Sequence, residues 1–102
     1  MKGIILAVLA LLAFNSYAAE QSAISKVTFV TVGTTYARIK LETMKAVESC
    51  PEQDFYILDF SIDPGNHMYS ALLSAYATKA PTYLLLSGCY QNKPRITHVY
   101  LK

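Results

Sequence analysis

None of the short patterns that announce a chemistry is present in this 102-residue chain: no glycine-rich phosphate loop, no HExxH, no CxxC and no calcium loop. Histidine is scarce. His67 and His98 stand alone in the sequence, without the carboxylate and serine pattern of a catalytic triad. Asp59 and Asp63, four apart, offer a carboxylate pair for acid–base work, but a carboxylate at 63 is better used to cap the helix that follows it. The expectation is a protein that is not an enzyme and that uses no metal and no cofactor. A basic stripe is also missing. Lys26, Arg38, Lys40, Lys45, Lys79, Lys93, Arg95 and Lys102 are scattered, which argues against nucleic acid as a partner.

Cysteine is limited to Cys50 and Cys89. An even count in an exported chain implies a disulfide, and here nothing at ligand spacing supports a metal site instead. Export is expected from the N-terminus. Lys2 precedes an apolar run from Ile4 to Phe14, and Ser16-Tyr17-Ala18 sets small residues at the −3 and −1 positions of a cut before Ala19. The run falls short of the roughly 20 residues that a spanning helix needs, so no membrane span is expected after cleavage. Residues 1–18 therefore read as a signal peptide and 19–102 as a single domain, periplasmic or secreted. From residue 19 on, eight basic side chains oppose seven acidic ones. A domain this small buries a limited core and often needs a staple, which the cysteine pair would supply.

Five strands and one helix are predicted. Ile24 to Val32 is rich in β-branched residues, and Gly33-Thr34 follows as a turn. Thr35 to Glu42 alternates, with Ala37, Ile39 and Leu41 on one face and Tyr36, Arg38, Lys40 and Glu42 on the other. Thr43 to Gln53 reads as a connection. Phe55 to Ser61 is apolar on both faces and so should be deeply buried. The helix runs from the Asp63-Pro64-Gly65-Asn66 start to a stop at Pro81, with Asp63 or Asn66 as its cap and Pro64 in its first turn. Thr82 to Tyr90 is the fourth strand, in which Gly88 marks a bulge or a close approach. Gln91-Asn92-Lys93-Pro94 is a turn, and Arg95 to Leu101 the fifth strand. The order β-β-β-α-β-β in an α+β, mostly β chain is that of the five-stranded oligonucleotide/oligosaccharide-binding (OB) barrel, here with one disulfide.

The helix carries more apolar surface than one packing face requires. Met68, Tyr69, Leu72, Leu73, Ala75, Tyr76 and Ala80 spread over roughly 200° of the wheel, twice the stripe that a single core asks for. Either the barrel wraps the helix deeply or helix 66–80 also lines a homo-oligomer, through Tyr69, Leu73 and Tyr76. His98 is expected as a structural residue within its strand and His67 at the exposed first turn of the helix. Tyrosine is abundant, and its apolar ring with a polar tip suits interfaces and sugar stacking. Tyr36, beside Arg38 and with Lys40 one step further along the polar face of its strand, is the tyrosine best placed to meet a ligand.

Residues 55–101 resemble a group of small secreted bacterial proteins. The shared pieces read here Asp63-Pro64-Gly65-Asn66-His67-Met68-Tyr69, Leu72-Leu73-Ser74-Ala75 and Ser87-Gly88-Cys89. Their layout is similar to the B subunits of pentameric bacterial toxins of the subtilase-cytotoxin and pertussis-like families. That resemblance implies an exported, disulfide-bonded OB-type barrel that packs helices about a central axis and binds glycan or protein. The alternative is a monomeric periplasmic inhibitor or interaction protein.

Overall fold

A computed structural model describes residues 19–47 and 49–102. The expected signal peptide, residues 1–18, lies outside the described residues. The described residues form one six-stranded sheet and one α-helix. The strands are β1 (Glu20–Gln21), β2 (Val27–Val32), β3 (Tyr36–Leu41), β4 (Tyr56–Asp59), β5 (Thr82–Tyr90) and β6 (Lys93–Leu101). The helix α1 (His67–Thr78) lies between β4 and β5.

The sheet order is β1-β5-β6-β4-β3-β2. All neighbours are antiparallel except β4 and β6, which run parallel and meet at Ile57 and Arg95. The expected five strands become six because a short strand, β1, precedes the predicted first one. It pairs with Leu85 and Leu86 of β5, while β2, which starts at Val27 instead of Ile24, pairs with β3. Between them Ser25 bridges Thr82, and the Ser22 backbone and hydroxyl both bond to Leu84. One continuous stretch thus serves both ends of the sheet.

The alternation in β3 resolves as the pattern predicts. Ala37, Ile39 and Leu41 are buried, whereas Tyr36, Arg38 and Lys40 point to the other face. β4 is buried throughout. It is shorter than predicted because Phe60–Ile62 turns into a 3-10 helix, whose start the Asp59 carboxylate caps by accepting from Ser61 N at 3.0 Å. Inward side chains of every strand from β2 to β6 join Val47, Leu72 and Ala75 in one core. Each large apolar side chain so buried is worth about 1.5–3 kcal/mol relative to exposure.

The helix starts later than predicted. Pro64 sits in the turn ahead of it, and Asn66 occupies the cap position in a left-handed conformation without a side-chain bond. The buried Asp63 takes over the capping. Its Oδ1 accepts from Met68 N and its Oδ2 from Tyr69 N, both at 3.1 Å. Lys79 ends the helix in a left-handed conformation, which the following Pro81 makes final.

α1 packs against β2 and β6, yet it buries only Leu72 and Ala75 fully. Met68 and Tyr69 are half-buried against the core, and Leu73 and Tyr76 remain 40% and 45% exposed. Deep wrapping of the whole apolar arc is therefore corrected: the sheet covers one side of the helix only.

Cys50 and Cys89 are joined, as expected. The bond ties the connection after β3 to the end of β5. The same region is held by the Gln53 amide, which bonds to both backbone groups of Val47 and to the Cys50 carbonyl. Glu52 N donates to Asn92 O at 2.9 Å, and Lys93 pairs with Glu52 and with Asp54. These links seat the β5–β6 hairpin, whose two-residue turn Gln91-Asn92 has both residues at positive φ. Gly88 is a bulge residue, as its position suggested. Its φ is +72°, in the left-handed region, and the register shifts between Leu86 and Cys89.

Candidate functional site

The outward face of β3 and β4 gathers aromatic rings and cations. Cross-strand pairing sets the rows. Lys40 stands opposite Phe29 of β2, Arg38 opposite Thr31 on one side and Ile57 on the other, and Tyr36 opposite Asp59. Ile57 in turn neighbours Arg95 across the parallel pair. Of these residues, Tyr36, Arg38 and Lys40 were singled out from the alternation of β3, and the structure places all three on this one face.

The side chains interlock. The Arg38 guanidinium carbon lies 5.5 Å from the Phe55 ring centroid and 6.0 Å from that of Tyr36. Lys40 Nζ is 4.9 Å from the Phe55 centroid, and Phe29 packs on Phe55 at 5.4 Å. Contacts of this kind contribute about 0.5–1 kcal/mol each at exposed positions. They hold the long cationic side chains in place. Across the sheet, the Tyr36 ring meets the Tyr90 ring at 5.5 Å with the planes tilted by 51°. Both residues are half-buried.

Two shallow concavities, each of about 440 Å³, flank this tyrosine pair and share Thr34 and Thr35. The first runs along Thr31 to Tyr36 and Arg38. The second is lined by Asp59, Phe60, Ser61 and Tyr90 besides the two threonines. Hydroxyls, one carboxylate and two tyrosines thus border two adjoining concavities. Asp59 Oδ1 already accepts from the Ser61 hydroxyl at 2.8 Å and from its N–H. That arrangement suits hydrogen bonding to a hydroxyl-rich ligand over an aromatic floor.

The other residues named from sequence lie elsewhere. Tyr69, Leu73 and Tyr76 are on α1, with Tyr69 meeting Phe60 edge-on at 5.7 Å. His67 is exposed at the start of α1. His98, expected as a structural residue within its strand, lies exposed on β6 with Nδ1 3.2 Å from the Thr97 hydroxyl oxygen and its ring near that of Tyr100 at 6.1 Å. Asp59 and Asp63 each serve as a cap, so the carboxylate pair separates into two structural roles. Among the described residues, no three His, Cys, Asp or Glu side chains gather as a metal site.

Sequence reasoning passed over Phe29, Phe55 and Tyr90. Phe55 shares its parity with Ile57, but a segment apolar on both faces carries no alternation from which its outward side could be read. Tyr90 was not legible either, because it reaches Tyr36 only through the β5–β6 hairpin and the parallel β4–β6 pair. No helix among the described residues is long and apolar enough to cross a membrane. No family model matches the chain, and neither the curated proteins nor the solved structures gave a match.

Proposed function

We propose that this chain is an exported, non-catalytic binding module with an OB-like barrel, and that the β3–β4 face takes a saccharide. The observation that carries the reading is the Tyr36–Tyr90 contact, with Tyr90 lining the Thr34, Thr35, Asp59, Ser61 concavity and Tyr36 lining the one beside it. Open tyrosine faces stack on the apolar faces of sugar rings, and the hydroxyl and carboxylate groups around them fix orientation.

The barrel reading rests on connectivity. An antiparallel β2-β3-β4 meander, a helix, a β5–β6 hairpin and a parallel β4–β6 contact follow the OB order. The continuous stretch through β1 and β2, which pairs with β5 at one end and β3 at the other, favours a sheet that curls toward closure. In OB barrels the second and third strands and the loops flanking them carry the ligand. The matching parts here are β3, β4, the 33–35 loop and the 91–92 turn. The layout similarity to toxin B subunits points the same way. Export is supported by the Cys50–Cys89 bond and by the apolar N-terminal run.

Isothermal titration against a panel of oligosaccharides tests the reading. Binding that Tyr36→Ala and Tyr90→Ala each abolish, with folding retained, is expected. Binding indifferent to both tyrosines, or none across the panel, would sink it. The exposed Leu73 and Tyr76 favour a second reading, a monomeric periplasmic inhibitor or interaction protein that docks through α1. A co-purifying protein released by Leu73→Ser would select it.

A further inference from the structure

Among the described residues, one edge of β2 is left unpaired. This strand reads Val-Thr-Phe-Val-Thr-Val, five β-branched residues and one phenylalanine, with no charge, no proline and no glycine. It ends the sheet order, with β3 as its one neighbour. Among the described residues, no backbone hydrogen bond leaves residues 28–32 on the side away from β3. Folded proteins usually blunt such an edge with lysine, proline, a bulge or a covering loop, because unpaired N–H and C=O groups recruit another strand. Here the one irregularity lies between Val27 and Phe29, at the start of the strand, and Phe29–Val32 is left regular.

Two uncovered apolar side chains border the ends of this edge. Val32, at its C-terminal end, is 57% exposed. Tyr76 of α1 shares a concavity with Val27 and Thr28 at the N-terminal end. These ends come together when β2 pairs antiparallel with itself. With Val30 at the two-fold axis, Thr28 of one copy stands opposite Val32 of the other, and Tyr76 beside Thr28 covers that second Val32. Charge agrees with this register. Lys26, Glu42 and Lys79 surround the Tyr76 end, and they would meet the uncharged Val32-Gly33-Thr34 of the other copy. No like charges are opposed, and a two-fold interface needs a self-complementary patch of this kind.

We infer that the occupant of this edge is a second copy of the chain, its β2 added antiparallel to β2 so that the two sheets become continuous. This goes beyond the ligand reading above, and it places the self-association on a strand edge instead of on the full length of helix 66–80. A strand of six residues with one flanking ring on each side is a small interface, so the dimer forms reversibly with concentration.

Light scattering and sedimentation of the purified chain over a concentration series test it, together with amide hydrogen exchange. Dimerisation with slowed exchange confined to residues 28–32 is expected. Thr31→Lys, at an outward exposed position, should weaken association at least about tenfold with an unchanged circular dichroism spectrum. Val32→Glu should weaken it too, and the double variant Val32→Glu with Tyr76→Lys should restore it, because the new charges meet only in the stated register. A chain that stays monomeric throughout overturns the inference. So does a dimer that Thr31→Lys leaves intact, or one whose 28–32 amides exchange as fast as in the monomer.

Discussion

The hydroxyl of Tyr56 exchanges two hydrogen bonds with the backbone of Lys45, donating to its carbonyl at 2.7 Å and accepting from its N–H at 3.2 Å. The tyrosine is buried in β4, and Lys45 lies in the connection after β3. Tyr56→Phe strands both backbone groups and should cost about 1–3 kcal/mol, read from urea unfolding at neutral pH. Burial, the largest cause, raises the Tyr56 pKa above its ordinary 10.0, and the bond with Lys45 works in the opposite direction. A raised folded-state pKa means that the folded chain holds this proton more tightly than the unfolded chain. The stabilisation is therefore complete below about pH 10 and is lost as pH rises through the folded value. The wild-type chain should weaken above pH 10 more steeply than Tyr56→Phe, as unfolding curves at several alkaline pH values would reveal.

Cys50 and Cys89 are separated by 39 positions, a long loop to close. Replacing both by serine should lower stability by up to about 4 kcal/mol on the chain-entropy model. That is a large fraction of the total for a domain of this size. Comparing denaturant midpoints of the wild type with and without reductant, and of the double variant, checks it. Reductant should leave the double variant unmoved.

Asp63 replaces the missing side-chain cap of α1. Asp63→Ala removes the acceptor for both Met68 N and Tyr69 N and should cost about 1–2 kcal/mol. Asp63→Asn keeps one acceptor oxygen but turns an NH₂ group toward the second N–H, so it should recover little of that loss. Thermal unfolding of the two variants side by side distinguishes the bonds from mere volume.

Lys93 is held by Glu52 and Asp54, and its pKa is raised, chiefly by the hydrogen bond to Glu52; desolvation, the next largest effect, opposes the rise, and the charges of Asp54 and Glu52 add to it. Its contribution is complete below the ordinary lysine value of 10.5 and fades as pH climbs through the raised one. By NMR, the Lys93 ammonium should titrate above the ordinary lysine value of 10.5, and Glu52→Gln should lower its pKa. High salt should narrow the difference.

Much of the architecture was readable because it is local. The alternation of Ala37, Ile39 and Leu41 needs only the period of a strand, and the double-sided apolarity of β4 needs only its composition. The span of β5 and the bulge at Gly88 followed from an apolar run of tyrosine and leucine broken by one glycine. What escaped was non-local. Glu20 and Gln21 have no strand-like pattern and pair with β5 only because Ser22 and Ser25 bond to Leu84 and Thr82 some sixty residues later. Likewise Asn66 was as good a cap as Asp63 by residue type. The turn geometry aims the Asp63 carboxylate, and not the Asn66 amide, at the first helical N–H groups.

By itself the chain determined most of its elements, the disulfide pairing, the inward face of β3 and the surplus of apolar surface on α1. Those properties depend on periodicity, residue type and count. The tertiary structure alone decided that the surplus stays partly in solvent at Leu73 and Tyr76, and that Tyr90 comes to Tyr36. It also decided that the Val27–Val32 strand is left at an edge. Each of these is a contact, or the lack of one, between segments far apart in sequence. Which segments meet is set by how the strands order themselves in the sheet, and no window of neighbouring residues contains that information.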